Sequence, residues 1–229
     1  MSPTGRKKGP NRSLVYHMKI LVLNSGSSSQ KSALFELDGK SSAEPVAPLW
    51  EGQLDWDGNH EVLSIKNSTG KRIRTDSEIT GGGRQASVEQ LLQNLWSGPA
   101  AVLQSASEIH SVGHRIVHGG PNLTRPVIVT SEVKRAIADL SAIAPLHNQA
   151  GLDGIALIEK LLPSVPQVAV FDTGFHRTLP AAAKTYAGPY DWYEHGIRRF
   201  GFHGINHEYC ANRATQVLGR DLGHLKVIS

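Results

Sequence analysis

Three clusters of polar residues in this sequence stand where apolar runs end, the usual place for chemistry in an open α/β sheet. The first is Gly113-His114-Arg115-Ile116-Val117-His118-Gly119-Gly120. Arg115 lies where a strand-like run meets two glycines, so its guanidinium can meet a carboxylate or phosphate in two parallel hydrogen bonds. A surface ion pair is the competing reading. The second is Val168-Ala169-Val170-Phe171-Asp172-Thr173-Gly174-Phe175-His176. A carboxylate directly after such a strand, Asp172, can hold Mg²⁺ or orient its waters beside a phosphate, or it can cap a turn. The third is Phe200-Gly201-Phe202-His203-Gly204-Ile205-Asn206-His207. Its glycines let the backbone approach a ligand, and His203 can donate a hydrogen bond to a transferring phosphoryl group, unless it is a core histidine. Pro145-Leu146-His147-Asn148, between two helical patterns, is a weaker loop signal of the same kind.

A fourth candidate is the stretch Met18 to Leu37, MKILVLNSGSSSQKSALFEL, which reads as strand, loop, strand. The connection runs from Asn24 to Lys31. It offers small residues whose N–H groups can turn inward, donor hydroxyls such as those of Ser27 and Ser29, and Lys31 to offset negative charge. Such a loop suits a polyphosphate, although a plain flexible turn has the same composition. The Walker A spacing is absent, and a strand follows where that motif needs a helix. His114 and His118 are spaced four apart, but on a strand that spacing spans about 13 Å, too far for two ligands of one ion. His203 and His207 repeat the spacing at a helix entry, without an HExxH pattern or an obvious third ligand.

These residues need a scaffold, and the apolar pattern supplies one. Leu49 to Leu54 and Glu61 to Lys66 are candidate strands joined by Asp55 to Asn59, and Arg72 to Thr75 returns after the turn at Thr69-Gly70. Val88, Leu91, Leu92 and Leu95 mark one face of a helix. Ile109 to Val117 then reads as a strand. Ser131 to Ala144 reads as a helix capped by Ser131 and stopped before Pro145, Leu152 to Leu162 as another, and Gln167 to Phe171 as a buried strand. A helix from Asn206 to Leu218 closes on Gly219. The order β-β-β-α-β-α-β-α fits an α/β domain with a mixed sheet.

Composition narrows the function classes. Arg6, Lys7, Lys8 and Arg12 lie in the first 17 residues, which hold no acid, and the rest of the chain is balanced at 20 basic and 20 acidic residues. The basic excess is a tail, which argues against a nucleic-acid surface. Residues 1–17 are expected to be a disordered extension, with Met18 the start of the fold. No run approaches a membrane span of about 20 apolar residues. Cys210 is the single cysteine, so nothing calls for an oxidising compartment and the cytoplasm is the expected location.

Taken in order, VLNSGSSSQK, GHRIVHGG, PLHN, FDTGFHRTLP and FGFHG resemble the N-terminal half of the acetate kinases, a family of the acetate and sugar kinase, heat-shock and actin superfamily. The resemblance implies an α/β ribonuclease H-like (actin-like ATPase) domain over residues 18–229, followed by the start of a second, truncated domain. It implies transfer of the ATP γ-phosphoryl group to acetate with Mg²⁺ or Mn²⁺. Asn24 would then be metal-associated, and Lys31, Ser27, Ser29 and His147 would serve the nucleotide. Arg115 would hold the acetate carboxylate, and Val117, Leu146 and Phe202 would line the pocket for its methyl group. Asp172 would be the active-site acid near the metal, and His203 would stabilise the transition state. Full-length members are homodimers that continue into a His-Leu-Gly-Asn-Gly loop, a second arginine and an adenosine pocket. Leu225 to Ile228 resembles the strand that leads there, so the chain is expected to be truncated. A propionate or butyrate kinase, or a non-catalytic binding fragment, are the alternatives.

Overall fold

Apolar and polar residues alternate through the N-terminal region, the pattern of strands covered on one face. The computed structural model describes residues 17–39, 44–79, 82–142 and 145–229. Five strands form from that pattern: β1 (Met18–Ser25), β2 (Ser29–Leu37), β3 (Trp50–Asp57), β4 (His60–Asn67) and β5 (Arg72–Glu78). Each pairs antiparallel with the next. After α1 (Gly83–Gln93), β6 (Ser111–Ile116) joins β1 in parallel. The short β7 (Val127–Ile128) leads into α2 (Ser131–Asp139) and α3 (Pro145–Leu161). The next strand, β8 (Gln167–Phe171), lies parallel to β6 and carries β7 antiparallel on its far edge. Two one-turn helices, α4 (Ala181–Lys184) and α5 (Asp191–Glu194), precede the long α6 (Gly204–Leu218). The sheet order β5-β4-β3-β2-β1-β6-β8-β7 joins an antiparallel half to a parallel half at β1, the mixed sheet expected of a ribonuclease H-like domain.

One face of the sheet is closed by helices. Leu21, Leu23, Leu34, Trp50, Leu54 and Ile65 pack against Leu91, Leu92 and Leu95 at α1 and Leu157 and Ile158 of α3. Each such burial contributes about 1.5–3 kcal/mol before the entropy of ordering is charged against it. A second cluster of Ile116, Ile137, Ile155, Ala169 and Phe171 ties α2 and α3 to the ends of β6 and β8. Because side chains alternate, Asn24, Lys31 and Arg115 fall on the opposite, open face, out of phase with Leu23, Leu34 and Ile116. No helix among the described residues is long and apolar enough to cross a membrane.

Several expectations are corrected. All five candidate strands form before α1, so the order begins with five strands where the compressed pattern has three, and β5 runs on to Glu78 by backbone pairing with β4 although it buries almost nothing. The cap of α2 is Thr130, whose Oγ1 accepts from the Val133 N–H at 3.3 Å, not Ser131. Pro145 does not merely follow a helix. It opens α3, where a missing N–H costs nothing, so Pro145 to Asn148 form its first turn instead of a loop. Leu225 to Ile228 joins no ladder among the described residues, and Ile228 is fully exposed. Of the N-terminal tail, residues 1–16 lie outside the described residues.

Candidate functional site

Strand register assembles the site. In the parallel pair β1 and β6, Leu23 stands opposite His114, so Asn24 comes beside Arg115 one step on. Between β6 and β8 the register places Arg115 opposite Val170, and the Asp172 N–H donates to the Ile116 carbonyl at 2.9 Å. Three side chains from three strand ends thus meet on the open face. Arg115 Nε donates to Asp172 Oδ2 at 3.0 Å, with Nη2 donating to the same oxygen, and Nη1 donates to Asn24 Oδ1 at 2.9 Å.

This arrangement differs from a bare guanidinium waiting for a ligand. Asp172 is only 1% exposed and holds one edge of the fork, while the Arg115 side chain keeps 28% exposure. A guanidinium has five N–H donors; three are engaged here, which leaves two for an incoming anion in a plane the protein has already fixed. Asp172 Oδ1 accepts no hydrogen bond among the described residues.

The connection between β1 and β2 is tighter than its composition suggests. Asn24 and Lys31 are directly opposed within the antiparallel ladder, and only residues 26–28 turn. The Gly26 N–H is spent on the Ser29 carbonyl at 2.8 Å and is not free for a ligand. Ser27 is exposed at the tip, its carbonyl accepting from Arg84 at 2.7 Å, and Ser29 begins β2. Lys31 is exposed beside Asn24, at one end of a groove of about 560 Å³ that crosses the open face to Ile73 and Arg74.

Residues 200–204 are drawn onto the Asp172 segment. The Gly204 N–H donates to the Asp172 carbonyl at 2.8 Å, and His176 Nε2 donates to the Phe202 carbonyl at 3.0 Å. Gly204 is obligatory there, since a Cβ would lie 2.2 Å from the Asp172 oxygen. His203 is the helix N-cap of α6 and the one non-glycine with positive φ among the described residues, at 56°. That left-handed conformation costs on the order of 1 kcal/mol and is held by the flanking contacts. It leaves the imidazole exposed, next to the positive end of the α6 dipole.

Around this cluster stand residues that motif reading undervalued. Asn148 is fully buried in the first turn of α3: its Oδ1 accepts from the His118 N–H at 3.0 Å, and its Nδ2 donates to the His118 carbonyl at 3.0 Å and the Ile137 carbonyl at 3.4 Å. His118 Nδ1 accepts from the Gly120 N–H at 2.9 Å, and its ring meets Phe200 and Phe202 edge to face, with centroids 4.7 and 5.6 Å away. Burial pushes its pKa down, so the ring sits neutral. His114 is turned into the core instead, its Nε2 donating to Gln167 Oε1 at 2.7 Å, and burial lowers its pKa to about 4. Phe202 is 45% exposed and Val117 half-buried. His147 is exposed near the start of α3, and the side chain of Leu146 lies outside the described residues. Within PLHN, the member buried in the core among the described side chains is Asn148.

Among the described residues, no group of three or more His, Cys, Asp or Glu side chains converges on a metal position. The donors present fit a hydrated Mg²⁺ that arrives with phosphates, which needs only one or two carboxylates from the protein. Asp172 Oδ1 is uncommitted, and Asn24 Oδ1 has already accepted from Arg115.

Comparison with known proteins gives a consistent result. The family model described as the acetokinase family matches residues 19–229. An acetate kinase of Nostoc sp. is 54% identical over 213 residues, 93% of this chain and 53% of that protein. One of Cyanothece sp. is 51% identical over 214 residues, again 93% of this chain and 52% of its own length. The chain therefore spans about half the length of the curated relatives it matches. Among solved structures, acetate kinase of Porphyromonas gingivalis superposes with a TM-score of 0.77 at 38% identity, over 90% of this chain and 50% of that one. A propionate kinase of Francisella tularensis gives 0.74 at 32% identity, over 89% and 50%.

Proposed function

The chain belongs to the acetokinase family, and from that premise we propose that it supplies the carboxylate-binding wall of an acetate kinase, which transfers the γ-phosphoryl group of ATP to acetate. The observation that carries this reading is the fixed guanidinium of Arg115, tied down by Asp172 and Asn24 with two donors to spare. The acceptor carboxylate is already ionised at neutral pH, so no strong base is needed, and catalysis reduces to alignment and charge neutralisation. Arg115 orients the nucleophile. Val117 and Phe202 enclose its methyl group. His203 donates to an equatorial oxygen of the transferring group, and Lys31, the Ser27 and Ser29 hydroxyls and His147 assist the polyphosphate. Mg²⁺, held by Asp172 and Asn24 together with the nucleotide, would neutralise charge on the phosphates. The products are acetyl phosphate and ADP. Residues 18–229 as one N-terminal unit, a homodimeric full-length enzyme and a cytoplasmic location belong to the same reading.

The test is a chimera in which residues 19–229 replace the matching part of the Nostoc sp. acetate kinase, assayed for ADP release on acetate, propionate and butyrate. The propionate kinase among the matched structures is the reason for the panel. Acetate should lead by about tenfold or more in kcat/KM, since one misplaced methylene is worth roughly 1–3 kcal/mol. Preference for propionate or butyrate would make this a kinase of longer acids. Absence of transfer, with the parent enzyme active alongside, would overturn the reading.

A further inference from the structure

Beside the stretch of residues 198–200 lies a second cavity of about 190 Å³, whose walls carry Arg177, Lys184, Arg198 and Arg199 together with Thr173 and His176. Some cations elsewhere have a carboxylate partner, as in Lys19 with Glu108, Lys134 with Glu159 and Lys160 with Glu89. Here, among the described residues, none of the four permanent cations has a carboxylate within 4.0 Å. Four positive groups converging on a concave surface build a positive potential that an oxyanion relieves.

The donors are also held ready. Arg198 stacks over the rings of Tyr193 and Phe200 at 5.7 and 5.0 Å, and Arg199 over Tyr186 at 5.2 Å. Stacking occupies the faces of a guanidinium and leaves its edge free to donate. Arg198 makes no hydrogen bond among the described residues. Arg199, Lys184 and Arg177 each give a donor to a carbonyl, of Ala183, Arg177 and Gly174 respectively, and keep the others. The Thr173 hydroxyl accepts from the Gly119 N–H at 3.0 Å, and its own hydrogen has no acceptor among the described residues although the residue is only 4% exposed. His176 is already committed to the Phe202 carbonyl, so it contributes shape more than a donor. The volume is below the few hundred Å³ usual for a drug-sized ligand, and suits a compact anion instead.

We propose that this cavity is a binding site for a phosphate-class dianion, separate from the Asn24, Arg115 and Asp172 cluster. It needs nothing from the kinase chemistry to bind. Its position bears on that chemistry, because Thr173 follows Asp172 directly and His176 holds the Phe202 carbonyl.

The test is calorimetric titration of residues 1–229 with inorganic phosphate, against chloride at equal ionic strength, for the wild type, Arg177→Gln/Arg198→Gln, Arg177→Gln alone and Arg115→Gln. Circular dichroism melting reports the folding of each variant. Losing two charge-assisted donors should weaken phosphate by about tenfold or more, and losing Arg177 alone by about threefold. Arg177 is exposed and stacks on no ring among the described residues, so the single variant keeps the proposal testable if the double one fails to fold. Arg115→Gln should change the affinity by less than about twofold. No saturable phosphate binding in the wild type, or binding abolished by Arg115→Gln and retained in the cavity variants, would overturn the assignment.

Discussion

Gly204→Ala should unlock the site through one methyl group. Gly204 is buried where α6 begins, and its N–H is the one donor to the Asp172 carbonyl among the described residues, at 2.8 Å. A Cβ at this position would stand 2.2 Å from that oxygen and 2.9 Å from the Cβ of Phe175. Ordinary carbon contacts sit at roughly 3.5–4 Å, so α6 or residues 172–175 must move by about 1 Å. Overpacking of this kind costs about 1–3 kcal/mol, and a buried carbonyl left without its donor costs about 1–3 kcal/mol more. Alanine's better helix propensity returns at most about 1 kcal/mol. The net loss should be about 2–4 kcal/mol, which at a urea m-value of about 2–3 kcal/mol/M lowers the unfolding midpoint by about 1 M. Gly223→Ala is the control, since an added Cβ there meets nothing within 4 Å, and should stay within about 0.5 kcal/mol. A loss below about 1 kcal/mol for Gly204→Ala would refute the close-approach argument.

Two further outcomes test the scaffold. His114 has a folded pKa of about 4 against an ordinary 6.5, so as pH falls the unfolded chain takes the proton first and stability is lost between about pH 6.5 and pH 4, by up to about 3 kcal/mol. His118 is lowered by burial in the same sense. The stability gap between wild type and His114→Gln should therefore shrink from pH 7 to pH 4 in urea titrations, and a gap independent of pH would contradict the assignment. Asn148→Ala removes three hydrogen bonds that clasp the backbone of His118 and Ile137 and should cost about 2–4 kcal/mol. Asn148→Asp should not rescue it, because a carboxylate cannot donate to the two carbonyls.

The parts of this molecule that follow from period and punctuation are legible in the chain. The apolar runs of β1, β6 and β8 and the helical face of Leu91, Leu92 and Leu95 needed no structure, and Asp172 and Arg115 stand where apolar runs end. What reading could not supply is tertiary pairing. The turn at Thr69-Gly70 announces the start of β5, but its polar second half, Asp76 to Glu78, is strand only because its backbone finds β4. Likewise, Asn24 through Lys31 has the composition of a loop, yet cross-strand pairing takes most of it into the ladder. The role of Asn148 depends on His118 and Ile137, residues distant in sequence, and no pattern within PLHN could reveal it. The joint hold of Asp172 and Asn24 on Arg115 is of the same kind, since it depends on parallel register between strands far apart in the chain.

That hold is the central claim, and Arg115→Lys in the chimera with the Nostoc sp. half tests it most directly. Lysine keeps the positive charge but cannot span Asp172, Asn24 and a bound carboxylate in one plane. Steady-state kinetics with acetate varied at saturating ATP and Mg²⁺ should show KM raised and kcat lowered together, with kcat/KM down by about 100-fold or more, roughly 3 kcal/mol of lost transition-state stabilisation. If both constants stayed within about twofold of the unsubstituted chimera, a difference of only about 0.4 kcal/mol, Arg115 would not be the group that positions the carboxylate.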